Sequence, residues 1–194
     1  MITRRKFVRS LSGLLVPIGF PFIVRAQLPV VPFVTQPSGV VDTEFITSLG
    51  LGTLRSNFTG PLGLQWIIAA SSPAYVITSL ARWVVAGNSA THTLSLYACP
   101  NTLLASVVVN TNGATAGAWL YGSITPVTLS TTFGTAYRLV SSETNAGDQW
   151  YDCNTTFTDT AIFSNRQPWD SACGGTVCAG GSHMYIPVNL KYHT

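Results

Sequence analysis

Charge is what this 194-residue chain has least of: only 9% of its residues are Asp, Glu, Lys or Arg, against about a quarter in ordinary globular domains. That scarcity, with 46% hydrophobic residues, excludes a disordered chain, a coiled coil and a polybasic nucleic-acid binder. Five of the ten basic residues (Arg4, Arg5, Lys6, Arg9 and Arg25) fall in the first 26 positions. From Gln27 onward five basic residues meet seven acids, a net charge of −2, and nothing is left to grip phosphate. Long apolar runs are missing as well. The run from Leu11 to Val24 is interrupted by Gly13, Pro17, Gly19 and Pro21 and falls short of the roughly 18 apolar residues of a membrane span. Signatures of nucleophilic catalysis are also absent. There is no Gly-x-Ser-x-Gly elbow, and His92, His183 and His193 fall in no triad order. Ser182 and His183 are adjacent, so in a strand their side chains point to opposite faces.

Thr3-Arg4-Arg5-Lys6-Phe7-Val8-Arg9, the short apolar run behind it, and Val24-Arg25-Ala26 as a cleavage site resemble a bacterial twin-arginine signal peptide. The resemblance implies export of a folded chain to the periplasm or the cell exterior, with residues 1–26 removed and no membrane span afterwards. Residues 27–39 hold three prolines (Pro29, Pro32 and Pro37) and read as an extended lead-in. Residues 40–194 are enough for one domain.

Within that domain the hydrophobic period is two. Leu62 to Ile68, Tyr75 to Val85, His92 to Tyr97, Leu103 to Val109, Ala118 to Ile124 and Ala136 to Val140 are short β-branched and aromatic runs, punctuated by Gly87-Asn88, Pro100-Asn101, Asn112-Gly113 and Gly134. The expected fold is all-β, an antiparallel β-sandwich of jelly-roll type.

The order Gln65-Trp66, His92-Thr93-Leu94-Ser95-Leu96-Tyr97, Leu103-Leu104-Ala105-Ser106, Gly117-Ala118-Trp119-Leu120-Tyr121, Pro126-Val127-Thr128-Leu129 and Thr135-Ala136-Tyr137 resembles the β-sandwich modules of unknown function in bacterial secreted and surface proteins, including those with sorting-tag tails. Thr132-Phe133-Gly134-Thr135 replaces the usual Ala-Gly-Thr, and the sorting tag is missing. The resemblance implies fold and compartment and carries over no catalytic residue.

Four cysteines in an exported chain point to disulfides, with Cys173–Cys178 and Cys99–Cys153 the favoured pairing of three. The seven acids are Asp42, Glu44, Glu143, Asp148, Asp152, Asp159 and Asp170, and four of them lie between positions 143 and 159. Glu143-Thr-Asn-Ala-Gly-Asp148-Gln-Trp-Tyr-Asp152-Cys-Asn154 reads as a loop with three competing roles: a solvated surface, a calcium site using Glu143, Asn145, Asp148 and Asp152, or catalytic carboxylates. Trp150 and Tyr151 within it, with Trp169 beyond, are candidate platforms for the apolar face of a sugar, and Asp148 and Asp152 would take its hydroxyls. Trp66, Trp83 and Trp119 are expected to cover the core.

Beyond Gln27, Lys191 is the only lysine, so edge strands have little of the charge that blocks pairing with another chain. The functional expectation is therefore an exported, non-catalytic binding module for carbohydrate or a cell-surface glycan. A self-associating surface or filament protein is the rival, and a hydrolase comes third.

Overall fold

The computed structural model describes residues 39–68, 73–132, 134–160, 163–169 and 184–194, with backbone alone for 163–169, Met184 and Ile186. The chain separates into two units, Met1–Gln36 and Pro37–Thr194. The first, which carries the twin-arginine segment and most of the lead-in, lies outside the described residues, as do Asp170, Cys173, Cys178 and His183.

Thirteen strands form among the described residues: β1 (Thr43–Glu44), β2 (Ile46–Gly50), β3 (Leu54–Arg55), β4 (Gly60–Ile68), β5 (Val76–Trp83), β6 (Thr91–Ala98), β7 (Thr102–Asn110), β8 (Trp119–Thr128), β9 (Ala136–Glu143), β10 (Trp150–Asp159), β11 (Phe163–Trp169), β12 (Met184–Ile186) and β13 (Val188–His193). Every pairing is antiparallel. One sheet has the order β1-β13-β5-β8 and a second the order β11-β4-β9-β6-β7. From β4 to β9 the chain changes sheet after every strand except at the β6–β7 hairpin. A smaller sheet, β12-β10-β2, also carries β3 on β10.

The sandwich follows from the period-two pattern. Leu62, Leu64, Trp66 and Ile68 on β4, Leu94 and Leu96 on β6, and Tyr137 and Leu139 on β9 are buried from one sheet. Ile77 and Leu80 on β5, with Val188, Leu190 and Tyr192 on β13, are buried from the other. Alternate residues of a strand share a face, so these sets form two inner faces that meet in one core. Burying each large aliphatic side chain there contributes roughly 1.5–3 kcal/mol. Phe45, Trp66 and Tyr137 run through it as a chain of rings with centroids 6.2 Å apart at each step.

All six expected strands are present as β4 to β9, most of them longer than their apolar runs. The loop expected over 143–154 is corrected. Glu143 closes β9, residues 144–149 make a turn, and Trp150 opens the ten-residue strand β10. The error has a physical cause, because Asp, Asn and Thr dominate β10 and its one fully buried polar residue, Thr155, looks like loop composition. The structure adds a C-terminal strand, β13, on which Val188, Leu190 and Tyr192 are buried. Among the described residues no cysteine is free, Cys99 and Cys153 each being disulfide-bonded; the expected Cys173–Cys178 pair lies outside the described residues. Among the described residues no helix is long and apolar enough to cross a membrane.

Candidate functional site

The acidic stretch singled out in the sequence is divided between the interior and the surface. Glu143 is buried between the sheets, where Arg82 donates from Nε to Oε1 at 3.1 Å and from Nη2 to Oε2 at 2.9 Å. The Ser141 hydroxyl donates to the same Oε1 at 2.7 Å. His92 lies beside this pair, with Nδ1 2.7 Å from the Ser142 carbonyl and Nε2 3.0 Å from Asp148 Oδ2. Both neighbours are hydrogen-bond acceptors.

Asp148 caps this cluster from the 144–149 turn. Its carboxylate accepts from the Ser89 N–H at 2.8 Å, the Ala90 N–H at 3.1 Å and the Thr111 hydroxyl at 2.5 Å. Burial pushes the Asp148 carboxyl up, but the Thr111 hydroxyl, the Ser89 amide, His92 and the Ala90 amide outweigh it and hold the group at about 2. The cluster is a set of mutually satisfied buried charges that ties β5 to β9 and β6 across the core.

The residues expected to bind a ligand lie in different surroundings. Trp150 is 5% exposed, packed edge-on against Tyr185 at 5.5 Å, and its buried indole N–H meets no acceptor among the described residues. It offers no face to a sugar. Tyr151 is half-buried on the same strand, and adjacent strand residues point to opposite sides, so the two rings cannot form one platform. Trp169 pairs through its backbone with Gly63, and its side chain lies outside the description. Asp148 is buried, whereas Asp152 pairs with Arg55 at 2.7 Å.

The four residues named for calcium are likewise dispersed. The Glu143 and Asp148 carboxylates lie on either side of the His92 ring, Asn145 is exposed on the turn and bonds Thr59 through its backbone N–H, and Asp152 faces Arg55. Among the described residues no three His, Cys, Asp or Glu side chains are grouped to hold a metal ion.

A different site is built on the four-stranded sheet. Trp83 at the end of β5 and Trp119 at the start of β8 are register partners, and their rings meet edge to face at 5.0 Å and 77°. Both are only partly buried. Two residues along β8, on the same side, stands Tyr121. With Glu44, Lys191 and the β2 segment Thr47, Ser48, Leu49 they line a groove of about 560 Å³. Gly117, at its rim, has a φ of +75°, a left-handed turn that delivers the chain into Trp119.

The far end of the groove is polar. Lys191 Nζ sits over the Tyr121 ring, 4.2 Å from its centroid, and 3.7 Å from Glu44 Oε1. Burial, then the Glu44 charge and its hydrogen bond, raise the Tyr121 hydroxyl above the ordinary phenol value. Buried Asn189 joins floor to wall: its Nδ2 donates to the Tyr121 oxygen at 3.1 Å and to the Ile46 carbonyl at 3.0 Å, while its Oδ1 accepts the Ile46 N–H at 2.9 Å. The sequence expectation had Trp83 and Trp119 merely covering the core. Their pairing depends on strand register between β5 and β8, which has no local signal beyond two tryptophans at strand ends.

No protein-family model, no curated protein and no solved structure matches the chain. Its function must be read from its own geometry.

Proposed function

We propose that the chain is an exported, non-catalytic carbohydrate-binding domain of jelly-roll topology, and that the Trp83–Trp119 groove is its binding site. The observation that carries this reading is the partly buried tryptophan pair lining a groove whose other end holds hydroxyls, a carboxylate and an ammonium group. A pyranose needs that combination: an aromatic surface for its apolar C–H face and polar groups for its hydroxyls. The alternation of strands between the two four- and five-stranded sheets supports the jelly-roll topology. The twin-arginine segment supports export to the periplasm or cell surface.

Retention of the chain from Gln27 onward on immobilised polysaccharides, with and without EDTA, tests the reading. The wild type is expected to be retained, and Trp83→Ala and Trp119→Ala to elute unretained with an unchanged circular dichroism spectrum. Equal retention of both variants would remove the groove from the mechanism. Loss of retention in EDTA would restore calcium as a cofactor. Export is tested separately by Arg4→Lys with Arg5→Lys, which is expected to leave the uncleaved chain in the cytoplasm.

A second reading, self-association, is favoured by β7. This nine-residue strand has β6 as its only strand partner among the described residues, contains neither charge nor proline, and exposes Leu103 and Val108 at 53% and 62%. Uncharged edges of this kind template pairing with another chain. Sedimentation at high concentration separates the readings: assembly that Val108→Lys abolishes would favour the structural protein.

A further inference from the structure

The polar end of the groove narrows the class of ligand, provided that the groove binds carbohydrate at all. Among the described residues, Lys191 is the only cation lining it and Glu44 the only anion. At 3.7 Å they neutralise each other without making a hydrogen bond, which for N–H···O needs about 2.7–3.2 Å. Both side chains remain partly open to solvent, at 34% and 43%. The Lys191 ammonium has three N–H donors, and the Glu44 carboxylate keeps acceptor capacity beyond the Tyr121 hydroxyl.

An anionic sugar entering here would gain Lys191 but meet Glu44 beside it. A cationic sugar would meet the converse. A neutral sugar meets neither penalty. Two hydroxyls on adjacent carbons can use both groups at once, one oxygen accepting from Lys191 Nζ and the other O–H donating to Glu44 Oε1. The same pyranose can then present its C–H face toward the tryptophans, because Tyr121, which supports Lys191, stands two residues from Trp119, about 7 Å along the strand. Asn189 and the Lys191 stack hold Tyr121 in place, so this end is organised before a ligand arrives.

We infer that the groove selects an uncharged sugar chain, and that Glu44 and Lys191 are its specificity-determining residues, reading a vicinal pair of hydroxyls. The inference rests on the carbohydrate reading and is tested apart from it. Affinity electrophoresis of the chain from Gln27 onward compares a neutral 1,4-linked glucan, the same glucan after periodate cleavage of its vicinal diols and borohydride reduction, and a polyuronate, each at low and high salt.

The neutral glucan is expected to retard the protein equally at both salt concentrations, since no net charge is exchanged. The cleaved glucan and the polyuronate are expected not to retard it. Glu44→Gln and Lys191→Gln should each weaken glucan binding about tenfold, the loss of one hydrogen bond to a charged group. Their combination should cost less than the product of the two, because both act on one diol. Each variant is first shown to melt within a few degrees of the wild type; if Lys191→Gln does not, Glu44→Gln and the cleaved glucan carry the test.

Salt-sensitive binding to the polyuronate alone would overturn the neutral class while leaving a carbohydrate site. Undiminished binding by Glu44→Gln, or of the cleaved glucan, would overturn the diol-reading pair. Binding to none of the polymers would overturn this inference together with the carbohydrate reading.

Discussion

Arg82 and Trp83 are neighbours on one strand and belong to two different chemistries. Arg82 points inward and is fully buried, bonded to Glu143 across the core. Trp83 points the other way, pairs with Trp119 and stays partly open in the groove. Charge is so rare in this chain that its position is informative. Inside, Arg82, Glu143, His92 and Asp148 satisfy one another and leave little for a ligand. Outside, Glu44 and Lys191 neutralise each other at a distance that leaves donors and acceptors unspent. The difference separates groups that hold the sandwich together from groups available for recognition.

The sharpest way to break that contrast is to remove one charge from the interior. Arg82→Met leaves the Glu143 carboxylate buried without its counter-ion and is expected to cost about 3–5 kcal/mol in urea denaturation. Adding Glu143→Leu should recover most of it, because a buried ion pair replaced as a unit is often neutral. Asp148→Asn comes next. It weakens charge-assisted hydrogen bonds from Thr111, Ser89, Ala90 and His92, with an expected loss of about 1.5–3 kcal/mol.

The same residue sets an acid limb. Its folded value of about 2 lies below the ordinary 3.8. Its stabilisation is therefore whole above about pH 4 and is lost as pH falls toward 2. Urea midpoints measured across that window should fall in the wild type and fall less steeply in Asp148→Asn.

Substitutions in the groove should reverse the ordering, with small effects on stability and large ones on binding. Trp83→Ala removes one partly exposed ring and its edge-to-face partner contact, an expected cost of about 1 kcal/mol in stability, while abolishing retention on polysaccharide. Lys191→Gln is the mildest: its ion pair is half exposed, so the stability change should stay within about 1 kcal/mol. A larger loss would mean that the Lys191–Tyr121 stack contributes to the stability of the fold as well as to recognition.

The central strands could be read directly because alternation is written in consecutive residues: Leu62, Leu64, Trp66 and Ile68 on β4, and Leu94 and Leu96 on β6, need no partner to announce a buried face. The acids could not be read in the same way. Glu143 and Asp148 resemble the exposed Asn145 between them in composition, and what separates them is Arg82, 61 positions from Glu143, and Thr111, 37 positions from Asp148. The burial of Trp150 is not written locally either. Its polar neighbours suggested a loop, yet β10 is a strand and turns that ring onto Tyr185.

The sequence by itself determined an all-β chain with alternating faces, because the period of side chains along a strand is a local property of the backbone. Only the tertiary structure decided which charges are spent in the core and which rings stand open. Those outcomes depend on strand register and on contacts between residues far apart in the chain: Arg82 with Glu143 across the sheets, Trp83 with Trp119 across β5 and β8, and Lys191 between Glu44 and Tyr121.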